Sequence, residues 1–223
     1  FFTVLFWLPE SVTEERRAEL ATQKKADFSF NALFAALARP HVGALLWLRF
    51  GFAIAFNAFQ TVFPLYVLHR FQLDAQQTGY IFAYIGIVLV AMQGGAIGPL
   101  AARFKESNLL VTFIAFALVG MIGWTLAPTI PILLIAMLPM AIGAGSFNSL
   151  INSAISKAVT RDEIGGMLGL GAGLESSTRV VMPALASYLL GAYGTPTPGA
   201  MGSVVLAIVL VYALSDEFHQ LFV

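Results

Sequence analysis

Two residues of opposite charge stand out because they lie within a long, mostly apolar stretch. Glu175 and Arg179 are four positions apart in the segment 164–193. On a helix this spacing places both side chains on one face, with the acidic residue on the favoured N-terminal side. Unpaired charges are costly in apolar surroundings, so we expect the two to pair and to face the protein interior. Two interpretations are open: a proton-coupling carboxylate that responds to Arg179 and to substrate, or a structural ion pair that fixes the helix against a neighbour.

Amide and hydroxyl side chains lie on single faces of two other apolar stretches. One set has the spacing i, i+3, i+4, and the other has two amides four positions apart. Unsatisfied amides are costly in lipid, so these faces should avoid it. They either line a substrate cavity or form hydrogen bonds between helices. With one tyrosine from a third stretch, the candidates for a cavity lining are Asn57, Gln60, Thr61, Asn148, Asn152 and Tyr84.

The sequence lacks the patterns of metal, phosphate-loop and nucleophile chemistry. It has no cysteine, which excludes thiolate metal ligands and cysteine nucleophiles. His41, His69 and His219 are far apart and lie in no metal-ligand spacing. No glycine-rich run ends in Gly-Lys-Ser or Gly-Lys-Thr, and no serine lies in a Gly-x-Ser-x-Gly turn. We therefore expect no enzyme, no metal site and no cofactor.

The segments that carry these polar residues must lie in lipid. Of the 223 residues, 58% are hydrophobic and 11% are charged, against about 25% charged residues in a soluble domain. Lys+Arg and Asp+Glu number 12 each, which excludes nucleic-acid binding through bulk basic charge. A membrane helix needs about 20 mainly apolar residues. The predicted fold is therefore an all-α, polytopic membrane bundle with six spans, at roughly 43–68, 76–102, 108–127, 129–155, 164–193 and 199–215.

The segments before the first span receive their own interpretations. Residues 1–9, FFTVLFWLP, are too short to cross a bilayer and lack the basic region and cleavage site of a signal peptide. We interpret them as the end of a preceding transmembrane helix. Residues 10–42 carry charges of both signs and are predicted to form a cytoplasmic loop with an amphipathic helical portion. Because the sequence begins with Phe1, we expect it to be a piece of a longer protein.

The basic residues of the connecting segments are distributed unequally between the two sides of the membrane. Loops rich in Lys and Arg mark the cytoplasmic side. Among the Lys and Arg residues of the connecting segments, only Arg70 lies on the other side. Both ends of the chain are then cytoplasmic, and we expect a bacterial cytoplasmic membrane. Arg49, near the cytoplasmic end of the first span, is predicted to snorkel to lipid phosphates or to pair with the missing half of the protein at the interface between the halves. The cytoplasmic residues are Arg16, Arg17, Lys24, Lys25, Arg39, Arg103, Lys105, Lys157 and Arg161.

The six spans divide into two sets of three. Asp74 precedes the second span on the outer side, and Asp162 precedes the fifth span on the cytoplasmic side. Each acidic residue lies directly before a helix whose free N–H groups it can cap. An inverted-topology repeat of three helices would produce this arrangement. Acidic residues are also common at helix starts, so coincidence is the alternative.

Three short motifs resemble those of a known family. GPLAARFKE, residues 98–106, resembles the Gly-x-Leu-Ala-Asp-Arg-x-Gly-Arg signature of the major facilitator superfamily, in its second-half copy. FWLPES, residues 6–11, followed by ERR at 15–17, is similar to the end of helix 6 in drug:proton and tetracycline-type exporters of that superfamily. RVVMP, residues 179–183, is similar to the Arg-x-x-Gly-Pro pattern of its helix 11. Met182 replaces the glycine of that pattern.

The resemblance implies an architecture and a gating motif. The six spans would be helices 7–12 of a twelve-helix transporter, with the N-terminal six-helix half missing from this chain. The first and fourth spans would line the central cavity. Gly98, Arg103 and Lys105 would belong to a cytoplasmic motif that holds the two halves together during gating. Ala102 stands where the signature has Asp, and Lys105 where it has Gly, so this contact is predicted to be weak.

The bundle, residues 43–215, is followed by a tail, residues 216–223, with two interpretations. SDEFHQ, residues 215–220, resembles a stretch of VanZ-like membrane proteins. The tail is either part of a VanZ-like segment or a polar cytoplasmic end of the sixth span. A VanZ-like enzyme would rest on these residues alone.

Two functions follow from these observations. The first is secondary active transport of a small molecule, as proton-coupled efflux by alternating access, with a lipid bilayer, substrate and protons as partners and no nucleic acid. The alternative is a non-transporting integral membrane subunit that scaffolds or assembles a larger complex with other membrane subunits. The weak gating motif and the unusual tail favour this alternative.

Overall fold

The computed structural model describes residues 30–39, 41–194 and 197–221, which fold into helices without a strand. The prediction of an all-α fold is confirmed. The predictions for residues 1–9, for most of 10–42 and for the side chains of 216–223 lie outside the described part. A short helix, α1 (Phe30–Leu37), precedes six long helical rods. They are α2 (Val42–Phe71), α3 (Ala75–Ala91) continued through a π turn (Met92–Ala96) into α4 (Ile97–Arg103), α5 (Glu106–Leu126), α6 (Ile130–Lys157), α7 (Ile164–Tyr193) and α8 (Thr197–Leu221).

Four of the described helices are long and apolar enough to cross a membrane, by length and composition. They are Val42–Phe71, Ala75–Gly95, Glu106–Leu126 and Ile130–Lys157, and Gly199–Ser215 within α8 is apolar but shorter. Helix α7 has 30 residues but is not among the four. It carries Glu175, Arg179 and many glycine and serine residues, which reduce its apolar character. Charged residues within a span are costly in lipid, so we expect the polar face of this helix to meet protein or a water-filled cavity.

The packing of the rods follows the symmetry of an inverted repeat. Helix α2 packs along α7 and α8, while α6 packs along α3 and α5. The first set is α2, α3–α4 and α5, and its members correspond in order to α6, α7 and α8 of the second set. When corresponding helices are exchanged, the α2–α7 contact becomes the α6–α3 contact, and the α2–α8 contact becomes the α6–α5 contact. The contacts of α5 with α8 and of α2 with α6 map onto themselves. The fold is therefore a six-helix bundle whose two three-helix sets pack equivalently.

The two acidic residues that mark this repeat in the sequence differ in structure. Asp74 caps α3: its Oδ1 accepts from the Gln77 backbone N–H at 2.7 Å, and the Gln77 side chain accepts from the Asp74 N–H at 3.0 Å. The prediction that Asp162 caps α7 in the same way is wrong. The N-cap position of α7 is Glu163, and no side chain caps that helix start. The Glu163 carboxylate instead accepts from Arg39 at 2.9 Å.

An aromatic cluster around Trp124 of α5 fixes that helix against α2. The rings of Phe59, Phe63 and Tyr66 meet the indole edge-on, with centroid distances of 5.5, 5.9 and 4.8 Å. The Tyr66 hydroxyl donates to the Trp124 carbonyl oxygen at 3.2 Å. All four side chains are buried. Edge-to-face pairs contribute about 0.5–1.5 kcal/mol each beyond their burial, so this end of the bundle is firmly packed.

Helices α5 and α6 approach each other closely because α6 has a glycine at their crossing. A Cβ atom on Gly143 would lie 2.5 Å from the Phe113 carbonyl oxygen and 2.6 Å from the Ala117 nitrogen. Small residues permit this close contact between backbones, which drives helix association in lipid. Helix α7, which carries Glu175 and Arg179, packs mainly along α2.

Candidate functional site

The Glu175 carboxylate accepts from two arginines on different helices. Its Oε1 is 2.7 Å from Arg179 Nη2 on α7, and its Oε2 is 3.2 Å from Arg49 Nη2 on α2. The pairing of Glu175 with Arg179 that the spacing predicts is thus present. The Arg49 side chain is 9% exposed, whereas that of Arg179 is 67% exposed. Charges shielded from solvent interact more strongly, so the Arg49 contact is the less screened of the two.

The prediction that Arg49 snorkels to lipid phosphates is wrong. Its Nη1 donates to Asn152 Oδ1 on α6 at 2.8 Å, in addition to the contact with Glu175. A carboxylate and an amide oxygen within reach compensate the desolvation of the guanidinium, so the side chain stays inside the bundle. Gly171 on α7 makes room for it, because a Cβ there would lie 2.8 Å from Arg49 Nη1. Arg49 therefore joins α2, α6 and α7.

A second hydrogen bond joins α2 and α7 two helical turns beyond Arg49. Asn57 Nδ2 donates to Thr178 Oγ1 at 2.7 Å, and this hydroxyl donates to the Glu175 carbonyl oxygen at 2.7 Å. Thr178 is buried. The two interpretations of Asn57 are a cavity lining and an interhelical hydrogen bond. In the structure it forms the hydrogen bond and also lies beside a cavity.

A small cavity of about 70 Å³ lies beside the Arg49–Glu175 pair, and we call it the inner cavity. One wall is aromatic, since the Phe52 and Phe147 rings stack there with centroids 4.1 Å apart. The opposite lining is polar. A charged centre beside an aromatic wall suits a small molecule that has both polar and apolar parts. The polar lining residues are Arg49, Asn57, Gln60, Asn148, Glu175 and Arg179.

A wider groove of about 370 Å³, which we call the outer groove, begins at the same residues. Asn57, Gln60 and Arg179 line both spaces, and Thr61 and Pro183 line the groove alone. The Thr61 hydroxyl donates to the Asn57 carbonyl oxygen at 2.9 Å and is satisfied within its own helix. The structure therefore gathers three of the candidate cavity residues, Asn57, Gln60 and Asn148, around Glu175, and Thr61 lines the adjoining groove.

Two candidate cavity residues lie elsewhere. Tyr84 lines neither space, because its hydroxyl donates to the Leu134 carbonyl oxygen of α6 at 3.3 Å. Asn152 holds Arg49 and lines neither space. Both side chains thus make contacts between helices in the described part of the chain.

The residues of the predicted gating motif are exposed at the end of α4. Gly98 lies within α4, Arg103 is its last residue and Lys105 is the N-cap of α5. A Cβ on Gly98 would meet nothing within 4 Å. Packing within the described residues therefore does not require glycine here, and the gating role stays a prediction.

Two exposed ion pairs connect helix ends on the predicted cytoplasmic side. Arg39, just after α1, pairs with Glu163 at 2.9 Å, and Lys157 at the end of α6 pairs with Glu106 at 3.0 Å. The hydrogen bond from Arg39 holds the pKa of the Glu163 carboxyl below its usual value. Surface pairs of this kind contribute little to stability, so they orient helix ends and do not form the site.

A metal centre has no support in the described part of the chain. No group of three or more His, Asp or Glu side chains there is arranged to hold a metal ion. The charged cluster around Glu175 has one carboxylate and two guanidiniums, which repel cations as a set.

Sequence reasoning missed Arg49, Thr178 and Gly171 as parts of this site. One signal could have found Arg49: it lies eight positions before Asn57, about two turns along the same face of α2. Thr178 and Gly171 carry no comparable signal, because their roles depend on which residue of α2 lies opposite.

Comparisons with known proteins agree with the helical architecture. The sequence matches the family described as Major Facilitator Superfamily over residues 1–176. Solute carrier family 22 member 18 of Mus musculus is 29% identical over 214 residues, covering 94% of this chain and 52% of that protein. The Rattus norvegicus protein of the same name is 30% identical over 194 residues, covering 86% of this chain and 47% of that protein. The chain spans about half the length of the curated relatives it matches.

A human protein and a solved structure are also similar to this chain. Solute carrier family 67 member A1 of Homo sapiens is 27% identical over 186 residues, with 82% of this chain and 43% of that protein covered. The in meso crystal structure of the POT family transporter PepTSo superposes with a TM-score of 0.67 at 13% identity, covering 80% of this chain and 38% of that chain. At this identity the likeness concerns the fold alone.

Proposed function

This chain belongs to the major facilitator superfamily, and we propose that it is the C-terminal half of a transporter that moves a small molecule through a membrane by alternating access. It is an integral membrane protein of helical spans. In this mechanism the six-helix bundle rocks against an N-terminal six-helix half around a site at mid-membrane. The relatives are about twice as long as this chain, which leaves room for such a half.

The position of Glu175 is the observation that supports proton coupling. Its carboxylate is 22% exposed and touches both the inner cavity and the guanidinium of Arg49. Glutamate is the one group of this cluster that can change its charge by taking up a proton. A proton on Glu175 would remove the charge to which Arg49 and Arg179 bind. Protonation would thus alter the contacts between α2 and α7, and so the relative position of cavity-lining helices.

The direction, the location and the gating contact are further parts of the proposal. The exporter-like motif at residues 6–11 favours efflux in exchange for protons, with both ends of the chain in the cytoplasm. The expected membrane is a bacterial cytoplasmic membrane. The curated relatives, in contrast, are mammalian proteins. Gly98, Arg103 and Lys105, exposed at the end of α4, would contact the other half and close the cytoplasmic entrance.

Transport in proteoliposomes tests the role of Glu175. The full-length protein is reconstituted, and uptake of tetracycline is driven by a pH gradient, since the N-terminal motif resembles tetracycline-type exporters. Glu175→Gln should abolish gradient-driven uptake while the thermal stability in detergent stays within a few degrees of wild type. Glu163→Gln is the matched control, because it also removes a paired glutamate but lies outside both the cavity and the groove. Undiminished gradient-driven uptake by Glu175→Gln would sink the assignment.

One observation favours the second function, a non-transporting subunit of a membrane complex. The stacked rings of Phe52 and Phe147 restrict the inner cavity to about 70 Å³, which is less than a drug-sized ligand occupies. If the chain is a non-transporting subunit, both wild type and Phe52→Ala should show zero flux. If the rings form a gate, Phe52→Ala should permit leak or faster uptake of tetracycline in the same proteoliposomes.

A further inference from the structure

Arg49 contacts three helices through one guanidinium group. It extends from α2, its Nη1 donates to Asn152 on α6, and its Nη2 donates to Glu175 on α7. We call these three residues the three-helix clamp. Arg179, in contrast, lies on the same helix as Glu175, so its pairing cannot move α7 relative to a neighbour.

The burial of Arg49 makes its contacts the more consequential ones. Its side chain is 9% exposed, and its Nε is buried without a partner among the described residues. A buried guanidinium is costly unless its N–H groups are paired. The placement of Arg49 therefore depends on the bonds at Nη1 and Nη2. Loss of the Glu175 charge would weaken the Nη2 contact, because a neutral carboxyl oxygen is a poorer acceptor than a carboxylate, and would leave the Asn152 bond unchanged.

Few other charges act on this carboxylate. From α2 the facing charge is Arg49, and from α7 it is Arg179. Helix α6 presents the uncharged amides of Asn148 and Asn152, while its Lys157 pairs with Glu106 at the helix end. Helix α8 carries no Asp, Glu, Lys, Arg or His between residues 197 and 215.

We propose that Arg49 is the positioning residue that transmits the protonation state of Glu175 to α2 and α6. With Glu175 ionised, the clamp holds α7 against α2 and α6. With Glu175 protonated, the Nη2 bond loses its charged acceptor, and α7 is held less tightly against α2 and α6, although the Asn57–Thr178 hydrogen bond to α2 remains. Arg179 tunes the carboxylate locally and does not transmit its state. This inference rests on the proposed coupling role of Glu175.

Pulsed electron–electron double resonance between two spin labels measures the movement of α7 without requiring a substrate. This chain has no cysteine, so labels can be placed in it by single substitutions. Leu68 of α2 and Tyr188 of α7 are both exposed, at 46% and 68%, and each is replaced by Cys in the full-length protein for spin labelling. The distance distribution is recorded at pH 8 and at pH 4, which lies below the ordinary glutamate range of about 4.3. Thermal stability of each variant is measured in parallel.

The clamp predicts a specific order of effects. In wild type, acidification should change the ratio of two distance populations by about tenfold, which is the change that one charge-assisted bond supplies. Glu175→Gln should show the acidic distribution at both pH values, and Arg49→Gln should remove the pH response. Arg49→Lys should restore part of the response, since the charge remains but the fork that reaches both partners is lost. Arg179→Gln should reduce the response by less than half.

Three results would overturn the inference. The first is a wild-type distance distribution that does not change with pH. The second is a pH response that is removed by Arg179→Gln but not by Arg49→Gln. The third is a full pH response in Asn152→Ala, which lacks the α6 contact. These outcomes are separate from the fate of the proposed function. Gradient-driven tetracycline uptake with an unresponsive clamp would leave transport standing, and a responsive clamp without such uptake would overturn tetracycline as the substrate while leaving the clamp standing.

Discussion

Gly171 on α7 is the position where one added methyl group should disconnect Arg49 from its partners. A Cβ there would lie 2.8 Å from Arg49 Nη1, 3.2 Å from its Cδ and 3.3 Å from its Cζ. These atoms belong to the flexible end of a side chain, so the helix backbones need not move. The Nη1 group, however, cannot keep its 2.8 Å bond to Asn152. Gly171→Ala thus tests the clamp without deleting any residue that forms it.

Two opposing contributions set the expected change in unfolding free energy. Alanine in a helix interior is about 1 kcal/mol more favourable than glycine. The lost bond costs about 0.6–1.7 kcal/mol, the range for bonds between membrane helices, and up to about 3 kcal/mol as a bond to a charged group. Gly171→Ala should therefore lie between about 0.4 kcal/mol stabilising and about 2 kcal/mol destabilising in wild type. With Arg49 replaced by Gln, the same change should stabilise by about 1 kcal/mol.

A double-mutant cycle measures this coupling. The unfolding free energies of wild type, Gly171→Ala, Arg49→Gln and the double variant are determined in mixed micelles from tryptophan fluorescence, and the expected interaction is about 1–3 kcal/mol. Gly169→Ala is the matched control, because a Cβ there would meet nothing within 4 Å. It should stabilise both backgrounds equally. If Gly171→Ala stabilises wild type as much as Gly169→Ala does, Arg49 does not lie over Gly171 and the reasoning fails.

Three further predictions concern the helix ends and one helix crossing. Because Arg39 lowers the pKa of Glu163, their bond should persist at neutral pH and be lost only as pH falls through a value below the usual glutamate range of about 4.3. Amide exchange of α1 should rise there, and Arg39→Gln should remove this pH dependence. Asp74→Ala should cost about 1 kcal/mol of unfolding free energy through the lost cap, whereas Asp162→Ala, at a helix start without a cap, should change it little. Gly143→Ala should lower the thermal midpoint through an overpacking cost of about 1–3 kcal/mol, since its Cβ would meet backbone atoms of α5; an unchanged midpoint would contradict that close approach.

The parts of the site that were predictable are those with local geometry. Glu175 and Arg179 are four residues apart, and the periodicity of any helix brings them together. The grouping of Asn57, Gln60 and Thr61 on one face follows from the same rule. Asp74 and Asp162 have similar sequence contexts, but only Asp74 caps its helix. Asp74 is the N-cap residue of α3, whereas the N-cap residue of α7 is Glu163, whose carboxylate binds Arg39, 124 residues away.

The amino-acid sequence by itself determined that lipid surrounds the helices, where the long apolar stretches lie and which faces carry polar groups. Apolar length and helical periodicity are properties of neighbouring residues, so they can be read without a fold. Only the tertiary structure decided which cation faces Glu175 from another helix. Arg49 and Glu175 are 126 residues apart, and their contact requires α2 to pack along α7 and a glycine at position 171 to leave room. Such a contact depends on the whole bundle, because the burial that makes it strong exists only after the helices have assembled.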